Sequence, residues 1–167
     1  MRKFAVFAAA VAVSLAASTV AFAHGEEKHG KPPRPKPLSM EEHSFGRQGD
    51  PAKATRTVKV DMSDAMRFSP AEVRVKQGET IRFVVKNGGK VMHEMVIGNL
   101  AELKAHGEMM KKFPNMEHDE PYMAHVPSGR EQEITWMFTK AGEFHFGCLV
   151  PGHLEAGMIG RIVVAAN

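Results

Sequence analysis

The stretch TIRFVVKNGGKVMHEMVI, Thr80 to Ile97, decides the fold class. Ile81, Phe83 and Val85 recur at every second position, the period of a half-buried strand. Asn87-Gly88-Gly89 then supplies a strong turn signal, and Val91 to Ile97 reads as the next strand. The same pattern extends in both directions. Upstream, order is predicted from about Thr55, with Val58, Val60 and Met62 alternating with Thr57, Lys59 and Asp61. Val73 and Val75 repeat the period before the Gln77-Gly78 turn. Downstream, Ile134, Trp136 and Phe138 point one way, Phe144 and Phe146 follow the Ala141-Gly142 turn, and Ile159 to Ala165 is a β-branched closing strand. Short strands joined by tight turns predict an all-β sandwich or barrel rather than a sheet with helical crossovers.

One segment breaks the two-residue period. Between Asn99 and Phe113, Leu100, Leu103, Met109 and Met110 suit one side of a helix, with Asn99 as its cap and Pro114 as its stop. A short helical insertion is therefore expected within about 99–128, irregular beyond the helix. No internal repeat is visible.

The N-terminal part is of another kind. Arg2 and Lys3, an apolar run from Phe4 to Val20, and Ala21-Phe22-Ala23 have the order of a secretory signal cleaved after Ala23. An uncleaved anchor is the competing reading, since the run is near the lower length limit for spanning a bilayer. Residues 24–54 are polar and interrupted by proline, including Lys31-Pro32-Pro33-Arg34-Pro35-Lys36-Pro37, and are expected to form a flexible tail. This leaves 55–167 as the folded domain. The net charge is +3, and Arg2 and Lys3 lie in the leader. The high isoelectric point thus says little about nucleic acid, and no basic run interleaved with aromatics supports that partner.

An exported chain enters a compartment where thiols pair, yet Cys148 is the only cysteine. A lone thiol is a reactive liability, a small core residue or a metal ligand. Its setting, Cys148-Leu149-Val150-Pro151-Gly152-His153-Leu154-Glu155-Ala156-Gly157-Met158, places a thiolate, an imidazole and a thioether on one loop between two strands. These soft donors select copper, because thioether is seldom used by zinc. A second histidine must come from elsewhere, and His93, following the Asn87-Gly88-Gly89 turn, is best placed.

With these residues in view, Val58 to Val164 resembles the cupredoxin family of plastocyanin, azurin and rusticyanin. Cys148, Pro151-Gly152-His153 and Met158 match the family's later ligand loop, and His93 in Met92-His93-Glu94-Met95 matches its early ligand. The resemblance implies a Greek-key β-sandwich holding one type 1-like copper between His93, Cys148, His153 and Met158. Many relatives carry Asn or Ser after the first histidine, where it ties the two ligand loops together. Here the residue is Glu94, whose carboxylate is expected either to bond differently to the loop or to move the site away from the usual blue geometry.

Possible donors exceed what one site needs. The insertion contains His106, Met109, Met110, Met116, His118, Met123 and His125, and cleavage after Ala23 would expose His24 with a free α-amine, with His29 nearby. Weaker additional copper binding is expected at these places. The bland reading is that Met109 or Met110 packs the helix while the histidines are solvated. His145 is expected at the surface by alternation with Phe144 and Phe146, and His43 carries no readable role. The early-ligand segment followed by His106-Gly107-Glu108-Met109-Met110 and Pro114-Asn115-Met116-Glu117-His118 is similar to the periplasmic copper-tolerance cupredoxins of the CopI type.

The resemblance implies a periplasmic, redox-active copper protein acting in copper tolerance. The competing expectation is a dedicated one-electron carrier docking a redox partner through Leu149, Val150, Pro151, Leu154 and Ala156 around His153. No stable membrane association is expected after cleavage. An oxidase or reductase would need further domains and a second copper centre, so the expected role is not enzymatic.

Overall fold

The computed structural model describes residues 37–114, 116 and 118–167. The signal sequence and the His24 and His29 donors lie outside them. In chain order the strands are β1 (Glu42–His43), β2 (Gly46–Gln48), β3 (Arg56–Ser63), β4 (Arg67–Ser69), β5 (Glu72–Lys76), β6 (Thr80–Asn87) and β7 (His93–Gly98). Helix α1 (Leu100–Lys112) follows, then β8 (Met123–Val126), β9 (Glu131–Met137), β10 (Gly142–Gly147) and β11 (Ile159–Ala165).

They form two sheets, one ordered β1-β2-β9-β6-β3-β4 and the other β5-β11-β10-β7-β8. Pairing is antiparallel except for β3 with β6 and β5 with β11. The period-two residues of both sheets meet in one core: Val60, Phe83, Val85, Ile134 and Trp136 from the first, Val73, Ile97, Phe146 and Ile162 from the second. Among the described residues this is the all-β sandwich with one α-helix that the sequence predicts.

Strand β7 is buried along its whole length. One face meets the core through Met95 and Ile97, while Val96 on the other packs with Leu103 and Met110 of α1 and with Met123 and Leu149. The helix starts as predicted. Asn99 accepts from the Glu102 N–H, Glu102 reaches back to the Asn99 N–H, and Pro114 follows the last turn. Lys111 pairs with Glu155 at 2.5 Å, which fastens the helix to the Cys148–Met158 loop. The insertion is more ordered than expected, because Met123–Val126 pairs with β7 as an edge strand.

The fold also begins earlier than Ala54. Strand β2 pairs with β9, Phe45 is 3% exposed, and Trp136 Nε1 donates to the Phe45 carbonyl at 3.0 Å. His43, expected in the tail, rests against Phe45, Tyr122 and Trp136 at ring-centroid distances of 5.3, 5.0 and 5.7 Å. Strands of two and three residues are too short to show a period, and Phe45 finds its partner far along the chain. Burying a phenylalanine contributes roughly 1.5–3 kcal/mol. A chain beginning at Ala54 is therefore expected to lose about 3 kcal/mol relative to one beginning at Pro37, measured by urea unfolding. Equal midpoints would restore the tail reading. Phe144 and Phe146 point into the core as expected, and His145 between them is half-buried, its side chain 18% exposed.

Candidate metal centre

Two chain segments converge at one end of the sandwich. Strand β7 opens with His93, and β10 delivers Cys148 immediately after Gly147. From Cys148 the chain winds tightly back to β11: the His153 N–H donates to the Val150 carbonyl, Met158 N–H to His153, and Cys148 N–H to Met158 at 3.1 Å. Gly152 and Gly157 stand at φ +89° and +87°, left-handed positions that let so short a loop reverse. Met158 is thus bonded through its backbone to both His153 and Cys148, and its side chain is fully buried.

Three of the four expected donors, His93, Cys148 and His153, come together. His93 Nδ1 lies 3.3 Å from His153 Nδ1, and Cys148 Sγ lies 3.2 Å from His153 Nδ1. All three donor atoms fall within 4.8 Å of one another, the one such cluster of three among the described residues. Donors bonded to one ion at roughly 2.0–2.3 Å in a trigonal plane stand about 3.5 Å apart, so the set fits a copper ion without rearrangement of the chain. His93 and Cys148 are buried and His153 is half-buried. Burial, then the neighbouring His93, pushes the His153 imidazole toward its neutral, ligating form. Burial also pushes the Cys148 thiol up to about 12, so only a metal, or a strong base, would ionise it.

Of the two expectations for Glu94, the structure shows its carboxylate bonded to the cysteine loop. Glu94 is 3% exposed, its N–H donates to Cys148 Sγ at 3.4 Å, and its Oε1 accepts the Leu149 N–H at 2.7 Å. The carboxylate therefore ties the β7 ligand segment to the cysteine loop. Its Oε2 lies 2.9 Å from His125 Nδ1, and His125 Nε2 donates to the His118 carbonyl at 3.0 Å. Both nitrogens of His125 face acceptors, which, Glu94 foremost, raises its pKa and favours the imidazolium. Sequence reading offered His125 as a copper donor; the structure makes it the counter-ion of Glu94.

The other insertion donors form a row rather than a closed cage. The His106 and His118 rings are 4.7 Å apart and those of His118 and His125 5.9 Å. His118 Nε2 is buried with no hydrogen-bond partner among the described residues, and burial lowers the pKa of His106. Met116 and His118 line an open cleft of about 790 Å³ that also touches Met92, Met110 and Val150. Met110 and Met123 are buried packing residues, whereas Met109 and Met116 remain exposed. Of the expected rim around His153, Leu149 is instead buried against α1, while Pro151 and Ala156 are exposed. Sequence reading missed Asp64, whose Oδ1 stands 3.2 Å from His93 Nε2. No spacing rule marks a turn residue so far from the ligand loops.

Residues 54–165 match the model of the family described as copper binding proteins, plastocyanin/azurin family. The copper-resistant cuproprotein CopI of Rubrivivax gelatinosus is 56% identical over 120 residues, covering 72% of this chain and 73% of its own. Proteins of the same name from Pseudomonas aeruginosa and Vibrio cholerae are 34% and 36% identical, with 82% and 90% of their lengths covered. Among solved structures, the dithionite-reduced auracyanin of Roseiflexus castenholzii superposes with a TM-score of 0.58 at 22% identity, over 67% of this chain and 98% of its own. Auracyanin B gives 0.61 at 20% identity, over 74% and 96%. At these identities the structural likeness speaks to the fold alone.

Proposed function

The chain belongs to the plastocyanin/azurin family of copper-binding proteins, with the CopI-type cupredoxins as its relatives, and from this premise we propose that it is a periplasmic, non-enzymatic protein of copper tolerance. The observation that carries the reading is a Cys-His-His donor set, buried at His93 and Cys148 and half-buried at His153, beside a cleft lined with spare methionine and histidine. Copper held there supplies a one-electron Cu(I)/Cu(II) couple. His93, Cys148, His153 and Met158 would hold the ion, and the Glu94 bridge keeps the two ligand segments at fixed separation. Met116 and His118 offer the cleft to incoming copper, the cargo of a tolerance protein. The names of the relatives support this role, and the signal-like leader supports export.

A dedicated one-electron carrier is the second reading, favoured by the exposed Met92 and Pro151, which line one cleft close to His93 and His153 in sequence. Substituting His106, Met116 and His118 together is expected to reduce the copper bound per chain while sparing the visible absorption of the Cys148 site. It is also expected to weaken growth in copper. Unchanged stoichiometry, together with normal copper growth of a strain lacking the gene, would defeat the tolerance role and leave the carrier. Cell fractionation and N-terminal sequencing test the location and the cut after Ala23.

A further inference from the structure

The two nitrogens of an imidazole are not equivalent, and the partner of one decides what the other can do. His93 is fully buried, and its Nδ1 faces His153 Nδ1 at 3.3 Å. Its Nε2 is turned 3.2 Å from Asp64 Oδ1. Asp64 is itself held in place: its carboxylate accepts the Lys90 N–H at 2.8 Å and the Val91 N–H at 3.4 Å. A Cβ on Gly89 would stand 2.1 Å from Asp64 Oδ1, so glycine at this position makes room for the carboxylate. From the other side the buried Asn87 amide donates to the Val91 and Val126 carbonyls, each at 2.8 Å, and accepts from Gly89. The Gly88 N–H bonds to the Met62 carbonyl, which joins this loop to the β3–β4 turn carrying Asp64.

Resting on the copper reading above, we propose that Asp64 is a positioning residue of the metal centre, a carboxylate that fixes His93 as the Nε2–H tautomer and so aims the Nδ1 lone pair at the ion. The loop that presents His93 and the turn that presents Asp64 then act as one clamp. A carboxylate on the far nitrogen makes the imidazole a stronger donor, which favours Cu(II) over Cu(I). The side chain of Asp64 is 41% exposed, so water screens part of its charge and the effect is moderate.

Two measurements test this. Imidazole nitrogen NMR of the metal-free parent chain is expected to show His93 as the Nε2–H tautomer; the Nδ1–H tautomer would overturn the proposal without any variant being made. In the copper-loaded protein, Asp64→Asn is expected to shift the Cu(II)-to-Cu(I) affinity ratio about tenfold toward Cu(I), a rise in reduction potential of about 59 mV. An unchanged potential overturns the proposal even if the variant unfolds more easily, since a purely structural residue would lower the melting temperature alone. A parent chain without the copper–thiolate band would instead defeat the copper reading, and the tautomer would still decide what Asp64 does.

Discussion

Adding Cu(II) to a Cys148→Ser variant is expected to give none of the intense visible absorption that the parent develops, with copper affinity lower by at least ~100-fold. The absorption requires a thiolate bonded to copper, and Cys148 is the only sulfhydryl in the sequence. The substitution is nearly isosteric. A serine hydroxyl at this buried position keeps the Glu94 N–H and His153 Nδ1 as neighbours, so folding is expected to lose only about 1 kcal/mol. The same thiol sets a pH dependence. Its pKa is pushed up to about 12, so at neutral pH copper must displace a proton. Apparent affinity should then fall about tenfold for each unit the pH drops, with about one proton released per copper from this group. An undiminished band in Cys148→Ser would overturn the site, and pH-independent binding would show that the thiol is not the ligand.

The strands were legible because each satisfies two demands at once. Ile81, Phe83 and Val85 have the period of a sheet and also fill the core, so the pattern and the burial agree. Helix α1 was legible at its ends, where Asn99 and Pro114 act through local chemistry. The ligand loop was legible because Cys148, His153 and Met158 are close in sequence and Gly152 and Gly157 sit between them. Features that depend on distant partners were not. Phe45 is held by Trp136, 91 residues away, and Asp64 meets His93 across 29 residues. The burial of Glu94 could not be read from alternation either. A helix covering the outer face of β7 removes the solvent-facing side that period two assumes.

That covering makes Glu94→Ala the second large effect, expected at about 2–4 kcal/mol of destabilisation in the metal-free protein. The variant leaves the Leu149 N–H buried without its acceptor, a loss of roughly 1–3 kcal/mol. It also removes the counter-ion of His125. Breaking a buried pair from one side costs about 3–5 kcal/mol, but the His125 side chain is 34% exposed and water replaces part of the bond. Glu94→Gln separates the two contributions, since its amide oxygen can still accept from Leu149 while the charge is gone. The charge contributes a pH dependence of definite sign. Glu94, as the largest influence, raises the pKa of His125 above its ordinary 6.5, so the stabilisation is complete below that value and is lost as pH rises through the raised one. Glu94→Gln should flatten this slope in urea unfolding followed across pH. It should also leave the Cys148 loop closed and the visible band present, whereas Glu94→Ala loosens the tie between the β7 ligand segment and the cysteine loop and should broaden or shift the band. Should both variants unfold at the parent's urea midpoint, the Glu94 bridge would not be what holds the two ligand segments together.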